Sequence, residues 1–322
     1  MENALGCGAV KPTISVVVPA YNAAATLSRA LESVLAQTWP AHEIVVVDDG
    51  SADTTAEVVR RIQALNGGER VRYLRQHNSG PSAARNRGVI EASGAWVAFL
   101  DADDWYYPER LALHARMIVE DPKLDFVVGN FDYRDGAGAL MHASMTTSGL
   151  GRELLARHGE QGQAVIEGPA IGRYIVEQFS DTRTLTLPRA TFIELGGFPL
   201  ELKICEDVVF LLRLCARSRR AGVSCQTSAV YSVHDAGLIR SDRLRAQTES
   251  VRALRDQASS MKAASPPIRE AWRQMVKAAY LDLAYYLTKH GRRGAALLSV
   301  ARSFAFHPAA ADVKTFAAIL RG

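Results

Sequence analysis

Apolar runs and amphipathic stretches alternate along the first 130 residues. TISVVVPAYN (13–22) opens with successive apolar, β-branched positions that Pro19 ends. A strand apolar on both faces belongs in the interior of a parallel sheet. AAATLSRALESVLAQ (23–37) then spaces Leu27, Ala30, Leu31, Val34 and Leu35 as one helix face, with Asn22 as its N-cap. EIVVVDDGS (43–51) reads as a second buried strand, ending in two carboxylates and a turn. ADTTAEVVRRIQAL (52–65) is a second helix stopped by Gly-Gly, and VRYLRQ (71–76) an alternating third strand. GPSAARNRGVIEAS (80–93) begins a helix with Pro81 in its first turn. AWVAFLD (95–101), YPERLALHARMIVE (107–120) and LDFVVGNFDY (124–133) complete the series as strand, helix and strand.

This alternation predicts an α/β fold with a doubly wound, mostly parallel sheet. Such sheets bind ligands beyond the carboxyl ends of their strands. Pro19 to Asn22, Asp48 to Ser51 and Asp101 to Asp104 all fall at such ends. Beyond them the pattern weakens. Residues 136–180 are Gly-rich and read as a substrate-facing insertion, with helical character in 149–163. A strand, a short helix and a Gly-Gly turn follow in 184–199, then an apolar helix in 205–218 and a strand in 229–242 that runs into a polar loop. From about 245 the chain is Ala-rich, helical and basic. SPP (265–267) interrupts it, and 271–308 reads as two antiparallel helices joined at HGRRG.

Composition changes this picture in two ways. The 322 residues are 48% hydrophobic and 22% charged, which suits a globular core and not a disordered chain. The net charge of +4 hides an asymmetry: residues 251–322 hold twelve Lys/Arg against four Asp/Glu, a balance of +8, which leaves −4 for the rest. A mildly acidic body argues against nucleic-acid binding. The basic segment is open to three uses: packing on the body, dimerisation, or contact with an anionic lipid surface. Cys7, Cys205, Cys215 and Cys225 form no Cys-x-x-Cys pair, as expected of thiols in a reducing compartment. No basic-then-apolar leader and no apolar run of about 20 residues is present. The expectation is a cytoplasmic protein.

The chemistry is carried by FLDADDW (99–105), with three carboxylates in four positions after an apolar run. Neighbouring like charges repel unless compensated. No Gly-x-Gly-x-x-Gly follows the first strand, and no Gly-Lys-Ser/Thr loop occurs. An Asp-x-Asp turn suits a hard divalent cation whose shell is completed by phosphate oxygens, Mg²⁺ or Mn²⁺. The competing reading is that these aspartates cap the following helix.

SVVVPAYN, EIVVVDDGSADTT, HNSGPSAARNRGV, FLDADDW and GGFPLELKICEDVVFLLRL occur in that order. Together they make residues 13 to about 242 resemble the family 2 glycosyltransferases. The resemblance implies the Rossmann-like glycosyltransferase-A fold, a nucleotide-diphosphate sugar as donor, with UDP-sugars favoured, and inversion at the anomeric carbon. It sets Pro19, Tyr21 and Asn22 beside base and ribose, and Asp49 on the base, with Asp48 as a turn cap or its rival. Arg85 would meet phosphate or balance the acidic cluster, an ion pair with Asp101 being the alternative. Asp101, with Ala102 beside it, would contact ribose or support the metal, and Asp103 would bind the metal directly. Asp207 would be the base that deprotonates the acceptor hydroxyl, with Glu206 as its rival, and His234 would lie near the diphosphate or metal. The implied division is a tail (1–12), a donor half (13–135), an acceptor half with the base (136–244) and a basic helical extension (245–322). The processive-synthase segment Gln-x-x-Arg-Trp is absent, which points to addition of one or a few sugars to a glycan or lipid-linked glycan. Two further readings compete. A nucleotidylyltransferase would want a Gly-rich basic loop after the first strand, and a non-catalytic nucleotide-sugar-binding protein would have lost the Asp-x-Asp or the base.

Overall fold

The computed structural model describes residues 11–233 and 242–308. Contacts divide the chain into two compact units. The first contains residues up to Glu167, with Glu177–Leu200 and Ser218–Val233. The second contains Gly168–Val176, Glu201–Arg217 and the C-terminal helices.

The first unit is built on one sheet. Strands β1 (Ile14–Ala20), β2 (Glu43–Asp48), β3 (Val71–Arg75) and β4 (Trp96–Phe99) are parallel in the order β3-β2-β1-β4. The two-residue β5 (Trp105–Tyr106) lies at the far edge. β6 (Phe126–Arg134) carries the hairpin strand β7 (Leu140–Ala143), and β8 (Gln163–Glu167) runs antiparallel along the last strand. β9 (Thr186–Pro188) bridges β4 and β6, antiparallel to both, and β10 (Arg220–Ser232) is parallel to β6. The result is an α/β sheet that is mixed where a mostly parallel one is expected: β3-β2-β1-β4 and the β6–β10 pair are parallel, and β5, β7, β8 and β9 pair antiparallel.

One face of β1 (Ile14, Val16, Val18) packs with α1 (Leu27–Leu35) and α2 (Thr55–Gln63) through Leu27, Leu31, Val34, Val58, Val59 and Ile62. Against the other face lies α3 (Pro81–Glu91), so close that a Cβ on Gly88 would come within 2.3 Å of Val17 Cγ1. Only glycine permits that approach.

Three further expectations are corrected. Pro19 does not end the first strand. It pairs with Val47 and the strand continues to Ala20. Asn22 is not the cap of α1, which begins at Leu27 after a turn through Ala23–Thr26. It has φ +49°, a left-handed conformation that Asn tolerates better than most residues. Residues 136–180 are more regular than their weak pattern predicts, and the helical character expected within 149–163 is present over Gly149–His158. They form β7, α5 (Gly149–His158), β8 and α6 (Pro169–Glu177), and Leu150, Leu154, Ala164 and Ile166 are buried.

In the second unit α8 (Glu206–Arg217) buries Val209, Phe210, Leu212 and Leu214. Helices α9 (Arg243–Asp256), α10 (Ala258–Met261), α11 (Pro266–Lys289) and α12 (Arg293–Ser303) follow. Arg213 Nε donates to Gln257 Oε1 at 2.9 Å, and Trp272 Nε1 to the Leu254 carbonyl at 2.8 Å. Ala284 and Leu287 pack with Ala296 and Val300, which closes the α11–α12 hairpin expected from the sequence. The SPP break is the start of α11, with proline in its first turn. Among the described residues no helix is long and apolar enough to cross a membrane.

Candidate active site

Beyond β4 the chain turns back on itself, with the Asp104 N–H donating to the Asp101 carbonyl at 3.1 Å. The three carboxylates diverge from this turn. Asp101 accepts from Arg85 Nη2 on α3 at 2.6 Å. Desolvation opposes its ionisation, but Arg85 and Arg183 outweigh that and hold the carboxyl below its ordinary range. Asp104 is completely buried and accepts from Arg183 Nε at 2.8 Å and from the Ser232 N–H at 2.9 Å. Burial pushes its carboxyl up to about 7. Arg183 opposes the rise, and Asp101 and Asp103 add to it. Asp103 is half-buried. So the crowding of FLDADDW is eased by two arginines from elsewhere in the chain, one on Asp101 and one on Asp104. Ala102 is buried with the sheet core, which fixes the turn from below.

Arg183 was not legible as a site residue. Its guanidinium pairs with Asp181 as well as Asp104 and lies over the rings of Phe131 and Tyr231, at 4.9 and 4.2 Å. A second support comes from α1 and the residues just after it. Arg29 Nη2 donates to the Asp103 carbonyl at 3.3 Å, and its guanidinium stacks 3.7 Å over Trp105. Four residues on, Ser33 Oγ accepts from the Tyr106 N–H at 3.0 Å. Four further on, Gln37 Nε2 donates to the Tyr107 carbonyl at 2.7 Å and Gln37 Oε1 accepts from the Leu111 N–H at 2.9 Å. Residues at i, i+4 and i+8 share a helix face, and this polar stripe grips the segment that carries the acidic turn. The stripe is visible in LSRALESVLAQ once the apolar face is removed.

The first two strand ends are tied to each other. The Asn22 N–H donates to Ser51 Oγ at 2.9 Å, and Asn22 Oδ1 accepts from the Ala52 N–H at 2.8 Å. Asp48 accepts from the Ser51 N–H at 2.7 Å and from the Tyr73 hydroxyl at 2.5 Å, the turn-capping role weighed for it. Asp49 accepts from Gln76 Nε2, the Ser79 N–H and the Gly80 N–H at 2.7–2.9 Å, so it also orders the loop that leads into α3. Tyr21 is 53% exposed beside them, after the buried Pro19. β2 and β4 flank β1, so Asp49 and Asp101 stand two strand spacings apart, about 10 Å.

Glu206 and Asp207 belong to the second unit and are described within it. Both are half-buried in the first turn of α8, and Asp207 Oδ1 accepts from the Val208 N–H at 2.8 Å. Carboxylates are favoured at a helix N-terminus. Cys205, just before them, has φ +64°. His234 lies outside the described residues.

Among the described residues no group of three His, Cys, Asp or Glu side chains is arranged to hold a metal, and Asp101 and Asp104 are committed to arginines. A Mg²⁺- or Mn²⁺-like ion that takes one or two carboxylates and completes its shell from a diphosphate and water suits the donor set of this turn, with Asp103 half-buried in it.

Comparison with known proteins agrees with this architecture. The family model for glycosyl transferase family 2 matches residues 15–178, half of the chain. The chain therefore belongs to glycosyl transferase family 2, and the nucleotidylyltransferase reading falls away. Succinoglycan biosynthesis protein ExoO of Rhizobium meliloti (strain 1021) is 33% identical over 238 residues, 72% of this chain and 64% of that protein. The uncharacterized glycosyltransferase YibD of Escherichia coli (strain K12) is 41% identical over 120 residues, 37% of this chain and 34% of that protein. The chain thus spans about a third of YibD and just under two thirds of ExoO. Among solved structures, S. aureus TarS 1–349 in complex with UDP-GlcNAc aligns with a TM-score of 0.66 at 20% identity, covering 91% of this chain and 80% of that one. Mannosyltransferase PcManGT from Pyrobaculum calidifontis, in complex with GDP-Man and Mn²⁺, aligns with a TM-score of 0.62 at 21% identity, covering 97% and 81%. These likenesses establish the glycosyltransferase-A fold.

Proposed function

We propose that this glycosyltransferase moves a sugar, with inversion, from a nucleotide-diphosphate sugar to a hydroxyl of a glycan or lipid-linked glycan during surface polysaccharide synthesis. The observation that carries the reading is the acidic turn beyond β4, which gathers Asp101, Asp103 and Asp104 at a strand end, with Asp101 and Asp104 paired to Arg85 and Arg183. The names of two relatives, ExoO and the putative teichuronic acid biosynthesis glycosyltransferase TuaG of Bacillus subtilis (strain 168), support the polysaccharide context. The UDP-GlcNAc bound by TarS supports a UDP-sugar as the favoured donor.

The base and ribose would lie along Pro19, Tyr21, Asn22 and Asp49. Asp101 would meet the ribose, and Arg85 would act by holding Asp101. Asp103 would hold Mn²⁺ or Mg²⁺, with His234 near the diphosphate. A bound cation neutralises charge on the leaving diphosphate. Asp207, or its rival Glu206, would accept the acceptor hydroxyl proton as that oxygen attacks the anomeric carbon and the bond to the diphosphate breaks. The acidic first unit and basic C-terminal helices support docking at the inner face of a membrane, about 1 kcal/mol per near-surface Lys or Arg. Self-association through the same helices is the alternative. Retention of anionic-liposome binding in R292Q/R293Q at wild-type strength would set the membrane contact aside.

The test is a thermal-shift screen of UDP, GDP, TDP and CMP, and their sugars, each with and without Mn²⁺. A ligand that binds the native state raises Tm by mass action. A Mn²⁺-dependent shift with one nucleoside diphosphate is expected, and NMR of the product should show an inverted anomeric centre. The absence of any shift would overturn the donor assignment.

A further inference from the structure

β10 does not run straight. Its pairing with β6 slips between Ser224 and Thr227 and again between Thr227 and Ala229. On its outer edge β8 pairs with residues 220–224 and β5 with residues 229–230, so the edge between them has no strand partner. The two ends of this gap are closed by the Cys225 N–H to the Gly162 carbonyl, at 3.0 Å, and the Tyr107 N–H to the Ser228 carbonyl, at 2.9 Å. A bulge commonly re-aims side chains beside a functional site. Here it opens a cavity of about 490 Å³ within the first unit. That volume lies within the roughly 300–1,000 Å³ of small-ligand clefts.

The lining has a definite chemistry. Glu109, Asp132 and Glu160 contribute carboxylates, and Gln161, Gln226 and Thr227 contribute amides and a hydroxyl. Among the described residues no Lys, Arg or His lines the cavity. Asp132 is 7% exposed and accepts from the Tyr107 hydroxyl at 2.7 Å. Arg134 stands behind this pair, 3.0 Å from the Tyr107 hydroxyl and 3.6 Å from Asp132. Tyr107, Leu140 and Ala143 add apolar surface. Carboxylates and amides accept hydroxyl protons, often two per group, and an apolar wall suits the C–H face of a pyranose ring. Asp132 is balanced by Arg134, but the exposed Glu109 and Glu160 would repel uronates and phosphates. Tyr107 follows Asp103 by four residues, so the cavity lies on the same gripped segment as the acidic turn.

We propose that this cavity is a subsite for uncharged pyranose units of the acceptor glycan, reading their hydroxyls and rejecting anionic sugars. The proposal rests on the glycan acceptor proposed above. Saturation-transfer NMR on the full chain tests it, with cellobiose, lactose and chitobiose as neutral probes and digalacturonate as the anionic one. Q161W and T146W block the cavity from exposed positions, and unchanged Tm verifies their folding. Saturation transfer to at least one neutral disaccharide and none to digalacturonate is expected, with a loss of tenfold or more in both Trp variants. E109R/E160R should admit digalacturonate. No transfer to any neutral probe, or a signal untouched by both Trp variants, would overturn the proposal. The UDP–Mn²⁺ thermal shift, run on the same samples, separates the two readings. If it is absent while a Trp-sensitive sugar signal persists, the donor assignment fails and the subsite stands. If it is present while no neutral sugar binds, the subsite fails and the donor assignment stands.

Discussion

Acidic side chains are buried at both ends of the parallel sheet, and the two ends treat them in opposite ways. At the amino end of β2, Glu43 accepts from Ser15 Oγ, from the Ser93 N–H and Oγ, and from Arg72 Nη1 at 2.6–2.9 Å. Burial works against its ionisation, yet these donors pull its carboxyl down to about 2. At the carboxyl end of β4, Asp104 has an arginine and one N–H, two neighbouring carboxylates, and a pKa pushed up to about 7. Glu43 is a satisfied structural charge. The turn at Asp101–Asp104 is an acidic cluster in which burial and neighbouring carboxylates outweigh the donors on Asp104. Like charges gathered against the local electrostatics mark a site that serves something other than stability.

The largest effect expected is on turnover. D103A should lower activity by about 10³-fold or more and remove the Mn²⁺ dependence of nucleotide binding. D207N should spare donor binding and lower turnover by about 10²–10⁴-fold. E43Q should leave the turnover of the folded protein unchanged. Equal losses in D103A and E43Q would erase the distinction between the two ends. Next comes the counter-ion. R183M leaves Asp104 buried without its cation, and urea unfolding should show a loss of about 3–5 kcal/mol. The double variant D104L/R183M should regain part of it, because no carboxylate at position 104 is then buried without its cation, while the Arg183–Asp181 ion pair stays lost.

The pH dependences should run in opposite directions. Glu43 is more acidic folded than unfolded, so its stabilisation is fully present above about 4.5 and is lost as pH falls through about 2. E43Q should cost roughly 2–3 kcal/mol at pH 7, and the gap from the wild type should narrow as pH falls from 4.5 toward 2. Asp104 is less acidic folded than unfolded, so the folded state holds its proton more tightly. Its contribution favours folding at low pH and declines as pH rises from about 4 through 7. D104N should flatten that decline. The smallest effect is expected at the stripe on α1. R29A should cost about 0.5–1 kcal/mol of stability, the range of an exposed cation–π contact, and should weaken nucleotide-dependent Mn²⁺ binding several-fold. Quenching of Trp105 by Mn²⁺ reports that binding, and R29K should recover most of it.

The parallel half of the sheet was legible because β1, β2 and β4 are apolar on both faces, β3 alternates, and α1 and α2 carry apolar stripes. The acidic turn was legible as a cluster. Nothing in FLDADDW distinguishes Asp104, which is fully buried, from Asp103, which is half-buried. That distinction depends on Arg183, 79 positions away from Asp104. Asn22 reads as a helix cap because it precedes an apolar-periodic run. Its left-handed backbone and its bond to the Ala52 N–H serve a second loop instead. β10 was seen only from residue 229, because RAGVSCQTS alternates small and polar residues with no strong apolar signal. It still runs from Arg220 to Ser232, paired on both edges. The cavity beside it was invisible for the same reason, since a slip in register leaves no mark in composition.

Gly88 sets how near α3 can lie to the sheet, and Arg85 rides on the same helix three residues earlier. The depth of that helix therefore calibrates the reach of a guanidinium toward Asp101. A single methyl at Gly88 would act as a shim, lifting the helix off Val17. The lesion would be written in the core, and its symptom would appear as a misaligned aspartate at the mouth of the site.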